Sequence, residues 1–190
     1  MSPKHSQSNS MRENIPASEI SEFASRVLKV NHAGENGAVN IYAGQLLFAR
    51  ITARNLVAEL AEFKSHGERH RAIFWAELQR RNRPRCRSYV LCGIGGFMLG
   101  LVTGALGGKA IWATTVAVER VVLRHLQNQL AQLRGKDEAA VTAIEAILNE
   151  EQHHHDQSDA QLAAGQFWPR VLSPIVSAST EAVIWVGMRA

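Results

Sequence analysis

The stretch Asn149-Glu150-Glu151-Gln152-His153-His154-His155-Asp156 decides how the chain folds. Glu151 and His154 stand three residues apart, so on an α-helix they lie one above the other and can share a ligand. The residues before them predict that helix. Ile144, Ile147 and Leu148 mark one face, which runs on into Glu151, His154 and Ser158. A carboxylate and an imidazole that prolong an apolar stripe point into a core, where burial is costly unless something pairs with them. A metal ion is the natural partner, because four-helix carboxylate centres combine Glu-x-x-His pairs on two helices with single glutamates on the other two. Taken alone, the stretch also fits a polar helix end with a surface run of histidines.

Upstream, the same grammar recurs. A helix starting near Ser18 or Ser21 carries Leu28, Asn31, His32, Glu35, Val39, Tyr42 and Leu46 at three- and four-residue spacing, with Glu35 mid-stripe. A second helix, from about Arg54 to Arg80, turns Leu56, Leu60, Phe63, Gly67, His70, Phe74 and Leu78 inward. His70 therefore occupies an apolar position. A third helix places Glu119 among Thr115, Val116, Val122, Leu123 and Leu126, and Gly135 with Lys136-Asp137 marks the loop to the fourth helix, which Gly165 and Pro169 close. From Glu35 to His70 is 35 residues (70 − 35), and from Glu119 to His154 is again 35 (154 − 119). Two helical hairpins of equal span imply a pseudo-twofold bundle, the symmetry of a two-metal carboxylate centre. Oxygen ligands with one imidazole per metal suit iron or manganese better than zinc.

One position breaks the pattern. The repeat calls for a glutamate three residues before His70, and Gly67 stands there. Glu68 is the expected substitute, through a local helix distortion. Glu62, in line with His66 and His70, and water are the alternatives.

Composition sets the frame. The 190 residues suffice for one domain with a proper core, and 46% hydrophobic with 20% charged residues is a globular balance. Residues 1–18 are polar, without the apolar run of a signal peptide, and read as a mobile tail; 19–190 form the domain. Cys86 and Cys92 give no disulfide framework and fit a reducing compartment. Net charge is only +4, and Arg80, Arg81, Arg83, Arg85 and Arg87 cluster just before the most apolar stretch. Little aromatic interleaving supports nucleic acid there, and a membrane surface explains the juxtaposition better. Ser88 to Gly108 is free of charge but rich in glycine, which predicts a core helix whose outer face dips into a membrane rather than a true span. Phe97, Met98, Leu101 and Trp112 are candidates to line an apolar groove, and Val171 to Met188 is a further apolar segment broken by Glu181.

His32-Ala33-Gly34-Glu35-Asn36-Gly37-Ala38 with Ile41-Tyr42-Ala43-Gly44-Gln45, Thr115-Val116-Ala117-Val118-Glu119, and the pattern from Glu150 to Asp156 resemble the COQ7 family of demethoxyubiquinone hydroxylases. The likeness runs from about Arg26 to Met188. It implies an all-α, ferritin-like four-helix bundle with added membrane-contacting helices and a di-iron centre. The implied reaction is O₂-dependent hydroxylation of a polyprenylated benzoquinol ring in ubiquinone synthesis. By motif match Glu35, His70, Glu119, Glu151 and His154 would hold the two irons. His125 falls where the family keeps a histidine beside the site, and the family's tyrosine after it is Leu126 here. The resemblance also implies peripheral attachment to a membrane, on the cytoplasmic face of a bacterial inner membrane or the matrix face of a mitochondrion. A homo-oligomer and contact with other proteins of ubiquinone synthesis are expected with it. The rival readings are another ferritin-like di-iron oxidase or peroxidase, and a non-catalytic quinone-binding member that lost a ligand at Gly67.

Overall fold

The computed structural model describes residues 16–162 and 167–189, and these are all-α, with six α-helices and no strand. Helices α1 (Ala17–Thr52) and α2 (Val57–Arg80), joined through a 3-10 turn at Arg54–Leu56, form one hairpin. Helices α4 (Gly108–Leu133) and α5 (Glu138–Asp159) form the second, and α2 meets α5 to close a ferritin-like bundle. Helix α3 (Tyr89–Leu106) lies along α1, and α6 (Phe167–Gly187) lies along α4.

The stripes expected from the sequence face inward. Leu60, Phe63, Gly67, His70, Phe74 and Leu78 are the buried residues of α2, and those of α5 include Ile144, Ile147, Glu151, His154 and Ser158. The core divides into two apolar clusters along the bundle axis. One contains Leu28, Phe74, Leu126, Ile144 and Ile147; the other contains Tyr42, Leu60, Phe63, Ile111 and Trp112. The inward glutamates and histidines of α1, α2, α4 and α5 form the layer between them. Each fully buried Leu or Phe contributes about 1.5–3 kcal/mol, so the two clusters can sustain a polar layer in the middle.

Helix starts depart from expectation by about a turn or less, and the end of α5 by more. Helix α1 begins at Ala17, after Pro16, so neither Ser18 nor Ser21 is its cap. The proposed tail of residues 1–18 therefore overlaps the first helical residues, and its first fifteen positions lie outside the described residues. Asp137 caps helix α5, its carboxylate accepting a hydrogen bond from the Ala140 amide at 3.1 Å. The helix ends at Asp159, ahead of Gly165, which is outside the described residues. Pro169 does not close α5 but sits in the first turn of α6, where its missing N–H costs nothing.

The glycines of α3 are contacts rather than weak points. A Cβ at Gly104 would stand 2.9 Å from the Gln45 backbone, and one at Gly44 would stand 2.5 Å from the Phe97 carbonyl. The stripe lets the α1 and α3 backbones touch, which offsets glycine's poor helix propensity. The opposite face of α3 is bare: Val90, Leu91, Ile94, Met98, Val102 and Leu106 are all exposed. Only 28% of this apolar 18-residue window is buried: α3 packs on α1 by its glycine face and leaves the other bare, with the length and composition of a helix able to cross a membrane.

The arginine cluster is also not the free basic patch that the sequence suggests. Arg81 grips Asp137 through two bonds of 2.7 Å, and Arg80 and Arg81 both reach Glu77. Arg83 pairs with Glu22, and Arg85 lies over the rings of Trp75 and Tyr89. Four of the five arginines thus tie the α2–α3 connection to its surroundings.

Candidate metal centre

Two Glu/His groups meet at mid-bundle. Glu35 of α1, His70 of α2 and Glu151 of α5 form one, and Glu119 of α4, Glu151 and His154 of α5 form the other; within each, ligand atoms lie within 4.8 Å of one another. Glu151 belongs to both. All five side chains are buried. The 35-residue repeat thus brings its two hairpins face to face, with Glu151 as the shared carboxylate.

The electrostatics are those of a site built around a cation. Three buried carboxylates converge, and their close ionic contacts are with histidines: Glu151 Oε1 is 2.7 Å and Glu35 Oε2 3.7 Å from His70 Nδ1, and Glu151 Oε2 is 4.0 Å from His154 Nδ1. Burial, with the Glu151 charge next, raises Glu35 to about 7 and Glu119 well above the usual carboxylate range. Burial also opposes the charge on Glu151, but the neighbouring His70 and Glu119 side chains outweigh it and hold that carboxyl at about 2. His70 is buried too, yet the carboxylates of Glu151 and Glu35 carry it up to about 10. Burial dominates at His154 and lowers it to about 4. The Tyr42 hydroxyl donates to Glu119 at 3.0 Å.

These residues fit a metal. His70 Nδ1 is fully buried and has no hydrogen-bond partner, because the nearby Glu151 oxygen lies off the direction an N–H would take. A buried ring nitrogen set among clustered carboxylate oxygens is a ligand geometry, and hard oxygen with imidazole donors suits iron or manganese. The set is one carboxylate short of the four-glutamate, two-histidine arrangement of such bundles.

The fold does not bring Glu68 to the cluster. Helix α2 is regular here, so Glu68 sits about 100° round from position 67. It is exposed and pairs with Lys64 at 2.5 Å. Glu62 is exposed as well, with its nearest oxygen 3.9 Å from His66 Nε2. Gly67 itself faces the cluster: a Cβ there would stand 3.7 Å from a Glu35 carboxylate oxygen and 3.0 Å from Val39 Cγ2.

Around the five, the structure adds residues that the sequence reading did not assign to the site. His66 Nδ1 is 2.9 Å from His154 Nε2, and Glu150 Oε2 is 2.8 Å from His70 Nε2. Glu150 sits beside Glu151 in the motif, but only the packing of α2 on α5 shows which ring it meets. An apolar cavity of about 340 Å³ opens onto Glu35, Glu119 and Glu151 between α1, α3, α4 and α6. Leu91, Leu99, Val118, Val122, Val183 and Ile184 line it. The Gly-rich segment does help line this groove, through Leu91, Gly95, Gly96 and Leu99, but the four side chains expected there do not; Phe97 and Met98 line a separate cleft with Asn36, Asn40 and Tyr89. Trp112 is buried in the Tyr42–Phe63 cluster, and Met98 is on the exposed face of α3; Phe97 and Leu101 are also absent from the lining. Helix α3 turns its glycine stripe toward α1, which leaves Met98 on the other face. His125 lines the same cavity and bonds Glu181 of α6 at 2.8 Å, and Leu126 closes the wall beside it.

Comparison with known proteins agrees with the geometry. The family model described as "Ubiquinone biosynthesis protein COQ7" matches residues 22–187. A Rhodospirillum rubrum protein named 3-demethoxyubiquinol 3-hydroxylase is 37% identical over 86% of this chain and 77% of its own. Proteins of Dictyostelium discoideum and Mus musculus, both named NADPH-dependent 3-demethoxyubiquinone 3-hydroxylase, mitochondrial, are 32% and 33% identical. They align with 88% and 86% of this chain, and with 78% and 76% of their own. With the paired hairpins and the Glu/His layer between them, these matches place the chain in the COQ7 family of ubiquinone biosynthesis proteins.

Proposed function

We propose that the chain hydroxylates the ring of a polyprenylated, demethoxyubiquinol-type benzoquinol with O₂, using two iron ions held by Glu35, His70, Glu119, Glu151 and His154. The observation that carries this reading is the apolar cavity ending on three of those carboxylates. A flat, largely apolar ring can enter it, while its hydroxyls meet polar groups at the glutamates and at Asn31, Ser88, Cys92, His125, Ser179 and Thr180. Iron bound there supplies the O₂ activation; the protein binds and orients the ring and keeps water out. Glu119 is steadied by the Tyr42 hydroxyl, and His125, fixed by Glu181, is placed to hydrogen-bond a ring oxygen.

An isoprenoid tail needs an apolar exit. The exposed faces of α3 and α6, with Ile94, Met98, Ile175 and Trp185 among them, support peripheral contact with a membrane next to the cavity. Paired substitutions Ile94→Glu and Met98→Glu should abolish co-flotation with anionic phospholipid vesicles and leave helical content unchanged. Retained flotation would remove the membrane reading.

The direct test supplies reduced demethoxyubiquinol analogue and isotopically labelled O₂ to the iron-loaded protein. Incorporation of one labelled oxygen atom into the ring is the expected outcome. The vacancy at Gly67 favours one second reading, a member that binds quinol without turning it over. Iron-loaded protein that binds the analogue and returns it unchanged would establish that instead.

A further inference from the structure

The two imidazoles of the centre are alike in sequence and unlike in what stands behind them. Each turns Nδ1 toward the carboxylates, and the outer nitrogen, Nε2, meets a different group. Behind His154 it is another imidazole, His66 Nδ1 at 2.9 Å. Behind His70 it is a carboxylate, Glu150 Oε2 at 2.8 Å. Arg69 of α2 also binds Glu150, so that carboxylate is held from the helix that carries His70. His70 is wholly buried whereas Glu150 is partly exposed at the bundle surface. The contact therefore reaches from solvent to the back of a ligand.

The asymmetry coincides with the vacancy. Gly67 removes a carboxylate from the α2 side of the cluster, the side of His70. We propose that Glu150 is a positioning residue for that half. By accepting the Nε2 proton of His70 it fixes the ring with the Nδ1 lone pair toward Glu35 and Glu151. It also strengthens the imidazole as a donor where a direct carboxylate is lacking. Outer carboxylates of this kind orient ligating histidines, and their loss typically lowers metal affinity about 10–100-fold. Glu150 is outside both ligand groups, so it acts through His70 and is not itself a ligand.

A surface ion pair with Arg69 alone would predict something different. Such pairs contribute about 0–1 kcal/mol to stability, and losing one leaves metal affinity untouched. The discriminating experiment titrates cobalt(II) into the metal-free protein and into Glu150→Ala, Glu150→Gln and Glu151→Ala, following visible absorption and bound-metal stoichiometry. Melting of the metal-free forms is measured alongside. The inference rests on the metal-centre reading, and the variants separate the two.

Expected is a roughly 10–100-fold weaker affinity for one of two ions in Glu150→Ala, with an altered absorption spectrum. Glu150→Gln, which keeps an acceptor and loses the charge, should fall between Glu150→Ala and the parent. The metal-free melting temperatures of both should match the parent. Affinity and spectrum unchanged in Glu150→Ala, with Glu151→Ala devoid of metal, would overturn this inference and leave the centre standing. A parent that takes up no metal would overturn both.

Discussion

The two hairpins carry the same spacing and do not make the same half-site. In α4/α5, Glu119 and His154 meet Glu151, with Tyr42 supporting the glutamate and His66 behind the histidine. In α1/α2, Glu35 and His70 meet the same Glu151, but position 67 holds hydrogen where the symmetry calls for a carboxylate, and Glu150 stands behind the histidine. The difference teaches that a repeat fixes where ligands can be, while the groups around them set how firmly each metal is held.

Removing Glu151 breaks both halves at once. Glu151→Ala should leave no stoichiometric iron in anaerobically loaded protein and no hydroxylation, while circular dichroism stays helical, because the apolar clusters above and below the layer are intact. Retention of two irons with activity would refute the shared-carboxylate geometry. Filling the vacancy should make the halves more equal. Gly67→Glu, after a small shift of Val39, should tighten the weaker ion by on the order of 10–100-fold in a calorimetric titration. Unchanged affinity would mean that position 67 cannot reach the metal.

Single-sided changes come next in size. Glu35→Ala and Glu119→Ala should each cost about one ion of two, read by elemental analysis. Loss of both ions in either variant would indicate a centre that fills only as a unit.

The smallest effect is the pH dependence of the metal-free fold. His70 has a folded value of about 10, above its ordinary 6.5, so its contribution is complete below 6.5 and is lost as pH rises toward 10. His154, lowered to about 4, contributes above 6.5 and loses that contribution as pH falls toward 4. Melting temperatures should therefore fall on the alkaline side of neutrality, whereas on the acid side the loss at His154 is opposed by Glu35 and Glu119, whose raised values add stability as pH falls. His70→Gln should flatten the alkaline limb and His154→Gln remove the acid-side loss. An alkaline limb that persists in His70→Gln would assign it to other groups.

Much of this was legible before any coordinates. Glu35, Glu119 and Glu151 interrupt apolar stripes at helical spacing, and burying three carboxylates has few physical justifications besides a cation. The sequence placed the starts of the bundle helices within about a turn and named the five residues that the fold brings together. It erred at Glu68, because proximity along the chain was allowed to outweigh the 100° turn per residue that carries its side chain to the surface. It also read the glycines of α3 as local weakness, since propensity belongs to an isolated helix and not to one pressed against α1.

By itself, then, the sequence determined the all-α bundle, its period and the residues able to bind metal, because these follow from local geometry and from the cost of burying charge. Tertiary structure decided what depends on which helix lies beside which. It made Glu151 common to both groups, put Glu150 behind His70 and His66 behind His154, and committed most of the arginines to ion pairs and aromatic contacts. It also opened the cavity onto the glutamates between four helices. No one segment encodes such contacts, since each is a relation between side chains far apart in the chain that packing alone brings together.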